Sequence, residues 1–467
     1  MKKLSLIFLY LLNVGLNAQS SYQQHILTSG YSDIRGIAAA DNGECIISGL
    51  DKSTSDINGD MYAMKIDGKG KIIWQKNFGL KNEDGGNNIL KLADNNYLIT
   101  GHSAFYNQEC DGYLVKIDGN GNKIWSLLVG DSILDDVLYL SIEDTDGNIY
   151  SVGRTESFGS KEYDVFLTKI NKDGQLIFQK HFGDSMNEIG VSLCFTSDNN
   201  LILSGFAYDT SNNISNSHYL SCTKNGDLNW TKTMVNQGRN VLYKVIKFNN
   251  NVMMFGQKDD PTNKLQAYSA IINNAGDITK ENTYGFKGDD IFLSAQIKDN
   301  VVYCLGYSTS YSDSMGDVTI LKLDNNLNLK SINFYGTNRF DQCRDFMIQD
   351  DGSMTMVGIS QYILNENSAF IIKTDASGTV GIHKENLTNS ILIYPNPSNG
   401  IIHIAKHESL DFKFALYNTL GECVLESVLD AGNNNPIIDL QNYPNGIYLV
   451  KIYNNEGIYH SQFIIKQ

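Results

Sequence analysis

Residues 65–79 read KIDGKGKIIWQKNFG: an alternating run, a polar turn with two glycines, and a second run closed by an aromatic and a glycine. Alternation of apolar and polar residues has the period of a half-buried strand, and glycine supplies the positive φ of a tight turn. The stretch is a β-hairpin. It is also a template, because versions of its turn return at Gly70, Gly121, Gly174, Gly226, Gly276, Leu327 and Gly378, spaced 50–53 residues apart. A second landmark keeps step with it. A β-run that follows a polar turn ends in glycine at Gly49, Gly101, Gly153, Gly205, Gly256, Gly306 and Gly358, at spacings of 50–52.

Two landmarks running together divide residues 31–382 into seven units, each holding four strands. An inner strand is entered through an acidic residue, and a second ends at the landmark glycine. A third follows a variable loop, and a fourth follows the hairpin turn. Four antiparallel strands repeated at this period are the blades of a β-propeller. The seventh unit has TVGIHKENLTNS where its fourth strand belongs, whereas residues 22–30, YQQHILTSG, resemble WQKNFG and precede the first unit without a partner. The predicted fold is therefore all-β. A seven-bladed propeller spans 19–383, with its N-terminal strand closing the last blade and removing an exposed edge. A linker, 384–390, and a small C-terminal β-sandwich, 391–467, follow.

The composition agrees with this and narrows the partners. Glycine is abundant (41) and proline scarce (5), with 26 tyrosines and 20 phenylalanines, a mixture suited to short strands and turns. The formal net charge of −15, without a basic stripe, argues against nucleic acid or an anionic membrane as partner. The first residues, MKKLSLIFLYLLNVGLNAQS, carry two lysines, a short apolar run and Ala18, the pattern of a signal peptide over 1–18. No other stretch has the length of apolar residues needed to span a bilayer. The seven cysteines show no CxxC spacing, so neither a zinc site nor a disulfide framework is expected.

The texture of the units, DGN-x-Y-x-x-G and G-D-x-Y-x-x-K-I-D-x-x-G-x-x-x-W, resembles secreted multi-repeat propellers of Bacteroidota. The C-terminal segment is more specific. Tyr394, Pro395, Asn396 and Pro397, then Leu416-Tyr-Asn with Gly421, then Gly446, Tyr448 and Lys451, and the ending with Lys466 look like the type A C-terminal sorting domain of the type IX secretion system. That resemblance implies recognition by an outer-membrane translocon and a place at the cell surface or outside the cell.

Chemistry is harder to find. Acidic residues recur at the inner-strand entrances, Asp33, Asp84, Asp136, Glu188, Asp289 and Asp341, with Arg239 in the fifth unit. They could gather a cation or a sugar. A residue repeated in nearly every unit more often serves the fold, here by accepting backbone N–H groups at a turn. No GxSxG, HExxH, P-loop or dinucleotide fingerprint is present. Asp51, Asp56, Asn58 and Asp60 are oxygen ligands that would suit Ca²⁺, although Gly59 comes too early for an EF-hand and no closing glutamate follows. No other cofactor is expected, and the sequence leaves metal binding open. The D-x-x-G-x-x-x-W turn resembles quinoprotein-type blades, but only Trp74, Trp125 and Trp230 fill the tryptophan position.

The loops after the landmark glycines vary most, and loops on a rigid scaffold are where binding lives. Phe105, Tyr106, Phe158, Tyr208, Tyr311 and Tyr362 are candidate stacking surfaces for sugar rings or peptide, with Arg154 as a polar clamp. The sequence thus points to an exported, non-enzymatic binding protein for a glycan or protein. The competing class is a secreted propeller enzyme, acting on a polysaccharide or resembling a quinone-dependent dehydrogenase.

Overall fold

A computed structural model describes residues 21–380 and 391–466 apart from 27–31, 53–58, 81–82, 105–108, 132, 159–161, 185, 210–213, 236–237, 261–263, 286–287, 311–315, 338–339, 364–365, 395–397, 407–411, 419–421, 430–435 and 455–456. The candidate signal peptide and the 384–390 linker lie outside these residues. The chain divides into two compact units, Met1–Gly381 and Ile382–Gln467. Among the described residues no helix is long and apolar enough to cross a membrane.

The first unit holds seven four-stranded antiparallel sheets among its described residues. Blade 1 runs outward in chain order through Ser32–Ala39, Cys45–Asp51, Asp60–Ile66 and Ile72–Asn77. Blades 2 to 6 repeat this over 84–129, 136–182, 187–234, 241–284 and 290–335. Blade 7 takes three strands from 341–373, and its fourth is Tyr22–Ile26, antiparallel to Glu366–Lys373. The register of that closing strand matches the other blades. Tyr22 faces Lys373 as Trp74 faces Lys65 and Trp125 faces Lys116.

The outer hairpins also join neighbouring blades. Trp74 packs on the turn of blade 2, where a Cβ on Gly121 would lie 2.9 Å from the ring, and Trp125 packs on Gly174 in the same way at 2.8 Å. Tyr22 meets Gly70 of blade 1 at 2.8 Å. Lys116 Nζ donates to the Lys172 carbonyl at 3.2 Å, and Lys373 Nζ donates to that of Gly68 at 2.9 Å. The ring is closed by the same kinds of contact that hold the seams of blades 1–2 and 2–3.

Each inner strand carries a β-bulge opposite the landmark glycine, for example at Leu138/Leu140 beside Gly153. A bulge adds one unpaired residue and bends its strand toward the partner. At all seven landmark glycines a Cβ would sit 1.8–2.1 Å from an inner-strand carbonyl oxygen. Only glycine fits. The bulged residues are Arg35, Asn87, Tyr139, Val191, Tyr243, Leu293 and Arg344, and they stand on the inner edge of the blades, at the channel.

The pairing corrects the series of entrance residues. Counted from the landmark glycine, the position is Ser32, Asp84, Asp136, Glu188, Asn240, Asp290 and Asp341. Asp289 and Arg239 are each one place early and Asp33 one place late, because adjacent polar residues look alike until a partner strand fixes the register. Cys343 is buried in the inner strand of blade 7. All seven cysteines are free thiols.

The cores lie between blades: Ile46, Met61 and Ala63 of blade 1 pack with Ile89, Ile99 and Tyr113 of blade 2. Among its described residues the C-terminal unit has seven strands in two sheets, a three-stranded one with Ile391–Tyr394, Ile401–Lys406 and Ile437–Asp439, and a four-stranded one. Their facing side chains, including Ile402, Ile404, Phe414, Val450 and Ile464, form its own core.

Candidate binding site at the channel mouth

The connection after each second strand shares one end of the blade with the segment leading into the inner strand. Glu156 N donates to the Asp135 carbonyl at 3.0 Å, and Ala104 N to that of Glu83 at 2.8 Å. The described ends of the variable loops therefore border the mouth of the channel.

The entrance carboxylates are committed to the fold. Asp84, Asp136 and Asp341 accept backbone N–H groups from Leu80 at 2.6 Å, Asp131 at 2.8 Å and Thr337 at 2.5 Å. Ser157 Oγ donates to Asp136 at 2.7 Å. The glycine ending several fourth strands makes room for them: a Cβ on Gly130 would lie 2.2 Å from the Asp136 carboxylate. At these seams carboxylates gather out of water. Burial, then Asp136, pushes Asp111 up to about 6, and burial, then Asp184, pushes Glu188 up to about 8. Both are buried and out of a substrate's reach.

A different cluster stands at the mouth between blades 2 and 3. Arg154, at the end of Ile149–Thr155, pairs with Asp135 at 2.7 Å and lies over the Tyr163 ring with its guanidinium carbon 4.3 Å from the centroid. Tyr163 Oη donates to the same Asp135 oxygen at 2.9 Å. Burial, then Asp135, pushes the neighbouring Cys110 thiol up to about 12. His102 packs over the bare backbone of Gly85, where a Cβ would meet its ring at 2.6 Å. Burial, then Arg35, holds His102 down to about 4, so it is a neutral imidazole at neutral pH. Four residues beyond Arg154, Phe158 adopts φ +67° with its ring 47% exposed, stacked on His181 at 5.6 Å.

The inner edge adds charge. Arg35 Nε reaches Asp33 at 2.9 Å and its Nη1 donates to Asn87 at 2.7 Å, while Arg344 Nε lies 3.5 Å from the other Asp33 oxygen. One carboxylate thus sits between two guanidinium groups.

Of the loop residues read from sequence, Arg154 and Phe158 both stand on blade 3, Arg154 against Asp135 and Tyr163 and Phe158 against Phe166 and His181 of the two outer strands, and Tyr208 is half-buried on the neighbouring blade 4. Phe105, Tyr106 and Tyr311 lie outside the described residues, as does the side chain of Tyr362. Asp56 and Asn58 of the candidate Ca²⁺ loop also lie outside them, while Asp51 and Asp60 accept from Gln75 and Asn77, both at 3.1 Å. Sequence reasoning missed Arg35, Arg344, His102, Asp135 and Tyr163, although the scarcity of arginine was a usable signal. In the C-terminal unit Tyr448 Oη donates to the Pro444 carbonyl at 2.7 Å, and Lys466 Nζ donates to Asn445 Oδ1 at 2.9 Å. Gly446 lies between them. Pro395, Asn396 and Pro397 and the Tyr394 side chain lie outside the described residues.

Residues 392–466 match the family described as a secretion system C-terminal sorting domain. No curated protein matches the chain. Among solved structures, hydrazine synthase from Kuenenia stuttgartiensis is similar at 10% identity and a TM-score of 0.50, over 76% of this chain and 98% of that one. A protein of unknown function from Dyadobacter fermentans is similar at 14% identity and 0.43, over 64% and 96%. The β-propeller domain of the Trilobed protease from Pyrococcus furiosus is similar at 8% identity and 0.45, over 77% and 100%. At such identities the likeness concerns the fold alone. The chain is a seven-bladed β-propeller that carries a type IX secretion C-terminal sorting domain.

Proposed function

We propose that this is an exported, non-enzymatic binding protein that takes a glycan at the mouth of its propeller channel, at the cell surface or outside the cell. The sorting domain supplies the route, through the type IX machinery. The reading rests above all on Phe158. An aromatic residue at positive φ is costly, and such strain persists where surrounding structure enforces it, commonly at ligand sites. Here it holds a half-exposed ring stacked on His181, four residues along the chain from Arg154. A ring face accepts the C–H face of a sugar, and the Arg154, Asp135 and Tyr163 cluster at the same mouth offers hydroxyl partners. The entrance carboxylates, buried and bonded to backbone and hydroxyl donors, support binding over acid–base chemistry. The reading requires no cofactor.

A glycan array probed with the full-length protein tests this. Specific binding is expected without turnover of the bound glycan, and Phe158→Ala should weaken it about five- to tenfold. Binding only to protein ligands, or an unchanged affinity in the variant, would defeat the reading.

A further inference from the structure

Arginine is rare in this chain: Arg35, Arg154, Arg239, Arg339 and Arg344 are five of 37 basic residues. The four that are described all belong to the inner edge or mouth of the channel. Arg35 and Arg344 are the bulged residues of blades 1 and 7, Arg154 ends the second strand of blade 3, and Arg239 stands just ahead of the inner strand of blade 5. Lysine is spread more widely, from Lys244 on the inner strand of blade 5 to Lys116 and Lys373, which hold turn carbonyls on the outer hairpins. The two cations are not interchangeable. A guanidinium is a flat fork of donors that matches a carboxylate with two parallel bonds, whereas an ammonium is a hydrated point charge.

The forks form one arc. Arg35 and Arg344 take opposite oxygens of Asp33. Tyr243 lies in the field of both Arg344 and Arg239, and His102 in that of both Arg35 and Arg154. On the inner edge Arg35, Arg344 and Lys244 stand against Asp33 and Asp345, so the neck of the channel carries more positive than negative charge in a chain of net charge −15. Asp33 is fully covered, while the Arg344 side chain is 40% exposed. Further out, Arg154 Nε and His102 Nδ1 are buried without a hydrogen-bond partner. The first is a charged donor and the second a nitrogen of a neutral ring, each without a partner inside the protein.

We propose that the arc binds the carboxylate of an acidic glycan, a uronate polymer, with Arg344 as its principal fork and Arg239 and Arg154 along the mouth. This rests on the glycan-binding reading and narrows it. The choice of carboxylate follows from Asp33, a carboxylate hydrogen-bonded by Arg35 and with Arg344 Nε 3.5 Å from its other oxygen. The protein's overall negative charge repels polyanions at distance, but salt screens that repulsion beyond about 10 Å, so the local surplus governs contact.

Titration of the full-length protein with alginate, carboxyl-reduced alginate and dextran sulfate tests the proposal. Alginate should bind about tenfold or more tightly than its reduced form. Arg344→Gln should lose about tenfold in alginate affinity at an unchanged melting temperature, and Arg344→Lys should recover only part of it. Arg239→Gln, at an exposed side chain, should lose a smaller factor, and it is the deciding variant if Arg344→Gln melts low. Equal affinity for the reduced polymer, preference for dextran sulfate, or undiminished binding by the deciding variant would each overturn the carboxylate assignment and leave glycan binding standing. Binding to none of the three overturns this inference, while the array decides separately on the broader reading.

Discussion

Glu188 opens the inner strand of blade 4 almost fully buried, and burial, then Asp184, pushes its carboxyl up to about 8. In the unfolded chain the same group loses its proton near 4.5. Between those values the folded state binds more protons, so stability is greatest below the lower value and falls as pH rises toward 8. Glu188→Gln keeps the shape and removes the titration. Denaturant midpoints measured at about pH 5 and pH 8 should differ for the native protein and differ less for the variant, with a gain of about 2 kcal/mol at the higher pH. Equal slopes for the two would show that Glu188 ionises freely. Asn240, at the same position in blade 5, is an uncharged occupant of this site already present in the chain. The landmark glycines teach a related lesson. Their recurrence was plain in the sequence, but their reason was not, because a bulge is a property of two paired strands and leaves no mark on either alone.

The strand Tyr22–Ile26 does for blade 7 what a fourth strand does for the others, and Tyr22 is nearly fully buried against the turn of blade 1. Tyr22→Ala should therefore cost about 3–5 kcal/mol, the range for removing a buried ring, measured as a fall in chemical stability. A loss under about 1 kcal/mol would mean that the ring is held by the backbone ladder alone. This strand was legible because its sequence repeats the outer hairpin and the last unit lacks one. Other departures from the repeat became intelligible only in three dimensions. Leu327 stands where six units have glycine, at φ +61° and fully buried. Across the seam, Lys280 stands where blade 1 has Trp74. The leucine fills the core beside Tyr284 and Phe292 that an aromatic from blade 5 would otherwise cover. Read singly, each was an exception; together they are one exchange of volume across a seam. The candidate site divides the same way. Arg154 and Phe158 were readable because they lie by a variable loop, whereas Arg35, Arg344 and His102 lie in strands whose pattern discloses only the fold.

For the whole protein, propeller and sorting domain are separate units with separate cores, so loss of the second should leave the first folded. Removal of residues 392–466 is expected to abolish appearance of the protein at the surface or in the medium and leave a folded propeller inside the cell. Fractionation with a protease-resistance assay checks both halves of that statement, and continued export would defeat it. The closing strand carries a further consequence, for the order in which the molecule is made. His25 meets Ser368, 343 positions along the chain. The strand Tyr22–Ile26, made before any of the seven blades, must stay uncommitted until the last blade exists, and bringing such distant segments together is among the slowest kinds of contact to form. Completion of the ring is thus a clock set by the final blade. Until it strikes, the strand Tyr22–Ile26 and the unpaired edge of Glu366–Lys373 are available to other chains, and to any chaperone that must keep them apart.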